Sequence, residues 1–212
     1  MQLYRTVTDS NGGSDYYHVN YLGFSTMSDI GLTKTDLIGP KYVIDPLATK
    51  DYDQPRVGMR GLGVTDYGIG YAYKEKIVCL SEPYIIYAWP RKYELTTPQP
   101  IVAMGHYSNA IVVATDGNPI LIIGLHPDSM SMTTLPLYEG CVSSRSMVNV
   151  SGGCIYASNN GLVMVSGNSA ELITKDIFSP EDWQNLNPKT IFAVSHNEGY
   201  LFFYDNGFRK GS

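Results

Sequence analysis

A short hairpin recurs along this 212-residue chain at a nearly constant spacing. Ala110 to Gly124 reads AIVVATDGNPILIIG, two apolar runs joined by Asp116-Gly117-Asn118-Pro119. Ile155 to Val165 (IYASNNGLVMV) repeats it with Asn159-Asn160-Gly161 at the turn, and Tyr200 to Phe208 (YLFFYDNGF) repeats it with Asp205-Asn206-Gly207. A weaker copy, Gly70 to Leu80 (GYAYKEKIVCL), turns at Lys74-Glu75-Lys76 without a glycine. Turn positions 76, 117, 161 and 207 are separated by 41, 44 and 46 residues. Gly and Asp tolerate the positive φ of tight turns, so Asp-Gly between apolar runs is a strong hairpin signal. A four-stranded propeller blade takes about 40–50 residues, and the spacing therefore predicts blades.

Composition agrees with many short strands. Only 17% of residues are charged, and 21 Gly, 12 Pro and 17 Tyr favour tight turns and strands over long helices. The net charge of −5 argues against a dedicated nucleic-acid-binding surface, whose affinity comes largely from neutralising phosphates. A mildly acidic wall along which DNA slides without sticking is a separate matter. Cys79, Cys141 and Cys154 are odd in number and lack CxxC spacing, so they read as buried strand cysteines. The start, MQLYRTVTDS, has no apolar signal core, and no apolar run approaches the roughly 18–20 residues needed to span a bilayer. The expectation is a soluble protein with no membrane span.

Residues 1–31 read as a hairpin with a third short strand: Leu3 to Val7, a turn over Asp9 to Ser14, then the aromatic run Asp15 to Phe24. Asp9, Asn11 and Asp15 lack the glycine and terminal glutamate of a calcium loop, so a plain turn is expected. Residues 32–56, with Pro40, Pro46 and Pro55 and the run Lys50 to Gln54, read as a linker or long surface loop. Asp51 and Asp53 are taken as solvated there. Residues 57–212 carry about three blades and the start of a fourth. Ser81 to Pro90 holds two prolines and several aromatics, which suits a structured loop and not a central strand. Ser179-Pro180-Glu181-Asp182 starts a short helix anchored by Trp183 and stopped by Pro188. Both ends read as cut in mid-module. The expected fold is all-β, a partial β-propeller of four-stranded antiparallel blades after a partial β-sandwich segment.

Candidate chemistry is sparse. There is no GxxxxGK[ST], no GxGxxG opening a helix, no HExxH and no CxxC. His126 and Asp128 beside Ser129 and Ser131 evoke a triad, but the groups are contiguous and no G-x-S-x-G elbow exists, so a polar turn is expected. His18, His106, His126 and His196 show no ligand spacing. The turns at Asp116, Asn160 and Asn206 lack the Thr-Trp of a sialidase box. Asn149-Val150-Ser151 forms a sequon inside an expected strand, and Arg145 reads as structural. No catalytic, cofactor-binding or metal-ligating set is assigned.

Three stretches carry a resemblance: Ser81-Glu82-Pro83 with Ala88-Trp89-Pro90, Pro127-Asp128-Ser129-Met130-Ser131-Met132, and Cys141-Val142-Ser143-Ser144-Arg145-Ser146. With Tyr156-Ala157-Ser158 and Gly161-Leu162, their order resembles the β-propeller tail-hub or nozzle proteins of short-tailed bacteriophages and prophages, some described as packaged-DNA stabilisation proteins. The resemblance covers residues 57–212. Residues 1–31, with Tyr4-Arg5-Thr6, resemble the last strands of a fibronectin-like module. The resemblance implies a non-enzymatic virion structural protein without cofactors, made in the bacterial host cytoplasm. It implies a ring-shaped homo-oligomer at the tail that meets portal- or adaptor-side tail proteins and fibres or spikes. Double-stranded DNA would pass through it without sequence-specific binding. The alternative is a carbohydrate-binding or glycan-hydrolysing β-propeller.

Overall fold

The structure, a computed structural model, describes residues 2–8, 14–21, 52–197 and 199–205. Those residues are mostly β, and they fall into two compact units, Met1–Asp53 and Gln54–Ser212. In the first, β1 (Gln2–Thr8) pairs antiparallel with β2 (Ser14–Tyr21), from Thr8 opposite Ser14 to Gln2 opposite Tyr21. This matches the hairpin expected there. Its turn, the third short strand and residues 22–51 lie outside the described residues.

The second unit is a series of antiparallel sheets in which neighbouring strands follow chain order. The first holds β3 (Arg60–Val64), β4 (Gly70–Lys74), β5 (Ile77–Leu80) and β6 (Leu95–Thr96). The second holds β7 (Ile101–Tyr107), β8 (Ala110–Thr115), β9 (Ile120–Ile123) and β10 (Ser131–Thr134). The third holds β11 (Val148–Val150), β12 (Gly153–Ala157), β13 (Leu162–Ser166) and β14 (Ser169–Leu172). A fourth begins with β15 (Phe192–His196) and β16 (Gly199–Phe203). The repeated turns fall between the second and third strands of each full sheet. Tyr200 to Phe208 supplies β16, whose partner in the described residues is β15, and its Asn206-Gly207 turn lies outside them.

Two turns differ from the expected chemistry. Glu75 itself adopts the left-handed region (φ 57°), which is why the first hairpin needs no glycine. Gly117 is not among the positive-φ residues. Its place is crowded instead: a Cβ there would sit 2.3 Å from the Gln99 amide, whose oxygen accepts from Asn118 N at 3.1 Å and Thr115 Oγ1 at 3.3 Å. The turn is held by Thr115 Oγ1, which accepts from Gly117 N at 3.1 Å and donates to Asn118 O at 2.7 Å.

The sheets stack face on face. Ile111 and Val113 of β8 meet Tyr71, Tyr73, Val78 and Leu80 of the first sheet. Ala110, Val112 and Ala114, on the opposite face of β8, meet Cys154, Tyr156, Val163 and Val165 of the third. All six residues of β8 are buried, so its first five read as an unbroken apolar run without alternation. Burying each such Val or Ile stabilises by about 1.5–3 kcal/mol. On the far side of the third sheet, Ile155, Ala157 and Leu162 pack on Trp183, Ile191, Tyr200 and Phe202. Trp183 is the anchor of α1 (Pro180–Asn185), where the Ser179 hydroxyl accepts from Asp182 N as an N-cap.

Candidate functional site

The first strands of successive sheets lie beside one another: β3 contacts β7, β7 contacts β11, and β11 contacts β15. The last strand β10 is exposed along its length. The first strands are thus neighbours across sheets, while β10 at the far edge of the second sheet faces solvent. A cleft of about 780 Å³ opens among the first strands. Its walls include Arg60, Lys74 and Glu75 from the first sheet, Val102 from β7, and Ser144 and Met147 from the segment before β11. The Lys74 ammonium donates to Val57 O at 3.2 Å.

A polar knot fastens three sheets at this crowded side. The ring Nδ1 of His106 in β7 accepts from Tyr71 Oη in β4 at 3.0 Å and from Asn149 Nδ2 in β11 at 3.1 Å. The His106 backbone N–H donates to Asn149 Oδ1 at 3.1 Å, and Cys154 Sγ donates to the same oxygen at 3.5 Å. Asn149 Nδ2 can only donate, so Nδ1 is unprotonated and the ring carries its proton on Nε2, with the Tyr71 hydroxyl sharing the same acceptor. Burial acts in the same direction, lowering the pKa of His106 against the opposing charge of Asp66. Burial also raises Tyr71 to about 12, so it remains a donor. Gly105 lets the strands approach: a Cβ there would lie 2.5 Å from Asn149 Oδ1 and 3.0 Å from Cys154 Sγ. Asn149, the sequon residue, is therefore committed to this knot.

Of the three stretches singled out in the sequence, Cys141 to Ser146 is a joint between sheets, the His126–Asp128 turn meets the first sheet's Lys92 and Tyr93, and Ser81 to Pro90 closes the first sheet on itself. Cys141 N donates to Thr115 O of the second sheet at 2.8 Å, and Val142 N to Ala157 O of the third at 3.0 Å. Ser143 Oγ donates to Ile191 O at 2.6 Å, and Ala193 N of β15 donates to Arg145 O at 3.0 Å. Ser146 Oγ, fully buried, accepts from Ala157 N at 2.9 Å and donates to Ser143 O at 2.7 Å. Small hydroxyls are needed because this segment threads among three sheets and must satisfy its polar groups without water. In the first stretch, Ser81 Oγ accepts from Gly70 N at 2.8 Å, and Glu82 Oε1 accepts from Tyr93 Oη at 2.9 Å. Glu94 nearby takes a bidentate pair from Arg56, which holds its carboxyl below the usual range.

His126, Asp128 and Ser129 form a capped 3-10 turn. His126 Nδ1 accepts from Asp128 N at 3.3 Å, and Ser129 Oγ donates to His126 O at 3.1 Å. The hydroxyl is bonded to the backbone and not to the ring, so these residues make the polar turn expected of them. Tyr93 packs edge-on against His126, and Lys92 sits 3.6 Å from Asp128. Cys79, Cys141 and Cys154 are free and buried. Burial pushes the Cys141 thiol to about 11 and Cys154 to about 12, so neither is a thiolate at neutral pH. Among the described residues, no group of three or more His, Cys, Asp or Glu could hold a metal ion, and no helix is long and apolar enough to cross a membrane.

Sequence reading missed the Tyr71–His106–Asn149 knot. Its separations of 35 and 43 residues are close to one sheet repeat, and that was the available signal. No protein-family model matches the chain, and no curated protein matches it.

Proposed function

We propose that this protein is a non-enzymatic structural component of a bacteriophage or prophage tail, part of a hub or nozzle ring through which double-stranded DNA passes. In this reading the stacked sheets are blades of a β-propeller, and β1–β2 belong to a fibronectin-like segment. One observation carries it: successive antiparallel four-stranded meanders stack by both faces with their first strands adjacent. Such stacking gives rigidity, since each interior sheet is held on two sides. Rigidity is what a conduit at the end of a pressurised particle requires. The motif stretches support the same reading: Cys141 to Ser146 ties the second, third and fourth sheets together, and Asp128 faces Lys92 of the first. The net charge of −5 suits a wall that does not retain DNA. The partners are further copies of the chain, portal- or adaptor-side tail proteins, and fibres or spikes. Its place is the virion, after synthesis in the host cytoplasm.

The test is electron microscopy of the protein co-expressed with the tail proteins encoded beside it. A ring on the tail, labelled by an antibody to this chain, is the expected result. Absence of the label from every tail assembly contradicts the proposal. So does specific binding on a glycan array, or turnover of chromogenic glycosides, which would favour the carbohydrate reading.

A further inference from the structure

The four first strands are nearly free of charge. Over β3, β7, β11 and β15 the only Lys, Arg, Asp or Glu is Arg60. Charge is also divided along the chain. Residues 54–100 hold six Lys and Arg against four Asp and Glu, a balance of +2. Residues 101–197 hold three against seven, a balance of −4. The carboxylates behind the net charge of −5 thus lie outside the first strands.

Two strand irregularities line the cleft among these strands. The β3–β4 register shifts between Arg60 and Gly63, and the β7–β8 register shifts between Ile101 and Ala103. Gly61, inside the first bulge, has φ 63° and makes room for the Tyr73 ring, which a Cβ would meet at 2.6 Å. Bulges of this kind re-aim side chains. Arg60 stands opposite Tyr73 and so shares its face of the sheet. Burial raises the pKa of the Tyr73 phenol, and the positive charge of Arg60 opposes that rise. The Tyr73 hydroxyl proton is spent on Val102 O. Arg60 and, on another wall of the cleft, Ser144 are exposed. Among the described residues neither side chain has a hydrogen-bond or ion-pair partner. Lys74 already donates to Val57 O, and Glu75 is the only carboxylate in the cleft walls.

A guanidinium offers five N–H donors in a planar fork that matches phosphate oxygens. A phosphate group has further oxygens for a hydroxyl on a second wall, whereas a carboxylate has only two oxygens in one plane. We propose that this cleft is a phosphate-binding site, in which Arg60 supplies the fork and the Ser144 hydroxyl a further donor. The phosphate belongs to a nucleic-acid backbone or to a free phosphate compound. The backbone source rests on the tail reading above, in which Arg60 gives each chain one contact that reads no sequence. A single cation releases few counterions, so such a contact lets go of a moving duplex.

Nuclear magnetic resonance on the full chain in low salt tests it. Inorganic pyrophosphate should shift the Arg60 Nε–Hε signal and the Ser144 amide together, along one saturation curve. Arg60→Gln should weaken this binding about tenfold or more. Arg145→Gln, which changes an exposed arginine outside the cleft walls, should leave it unchanged. A short DNA duplex that shifts the same signals identifies the backbone source. Its log affinity should then fall linearly with log salt, and Arg60→Gln should reduce that slope by about 0.9. Pyrophosphate binding without duplex binding supports the cleft site with a free phosphate compound as its ligand, and refutes the backbone source alone. No shift with either probe overturns the proposal. So does an unchanged affinity in Arg60→Gln, or succinate bound as tightly as pyrophosphate. If Arg60→Gln loses its dispersed amide spectrum, Arg60→Lys replaces it. A weakened pyrophosphate response is then expected, because the fork is gone, and an unchanged one overturns the proposal.

Discussion

His106 shows how one side chain couples this fold to pH. In the unfolded chain an imidazole takes up a proton near pH 6.5. In the folded protein burial holds it neutral to lower pH, with Nδ1 already occupied by Tyr71 and Asn149. Within that window the unfolded state binds more protons, so stability falls as pH is lowered through it. Urea unfolding at about pH 7.5 and about pH 5 should show the loss, and His106→Gln should flatten it. An unchanged pH slope in that variant contradicts the assignment. Tyr71→Phe removes one of the two donors and should cost about 0.5–1.5 kcal/mol in the same assay. The sequence offered little warning of this knot. A histidine in a strand carries no local mark of its partners, and Tyr71 and Asn149 reach it only because whole sheets stack.

At the scale of elements, α1 separates local from tertiary stabilisation. Ser179→Ala removes an exposed cap and should cost about 1 kcal/mol. Trp183→Ala empties the fully buried site between α1 and the third sheet, and it strips Ser158 O of the indole N–H that lies 3.1 Å away. The expected cost is about 3–5 kcal/mol. Denaturant midpoints rank the two, and equal losses would mean that Trp183 is not the anchor. This helix was legible because capping chemistry is local: Ser179, Pro180, Glu181 and Asp182 act within one turn. The hairpins over Ala110 to Gly124 and Ile155 to Val165 were legible for the same reason. The reason for Gly117 was not, since it depends on Gln99 arriving from the loop before β7. Nor was the Glu75 turn, where the backbone adopts an unfavoured region without a residue that advertises it.

For the whole molecule, the repeat spacing gave the number and order of sheets, because each four-stranded meander consumes a similar length of chain. It could not give the joints. Cys141 to Ser146 reads as an ordinary polar stretch, yet its hydrogen bonds reach the second, third and fourth sheets. The proposed tail role requires the sheets to stack with their first strands together as one stiff part. Cryo-electron microscopy of the assembled protein tests this most directly. The expected result is sheets arranged about an axis, with β3, β7, β11 and β15 lining the opening and β10 and β14 at the rim. A particle whose sheets share no axis, or in which β10 and β14 face the opening, would contradict it.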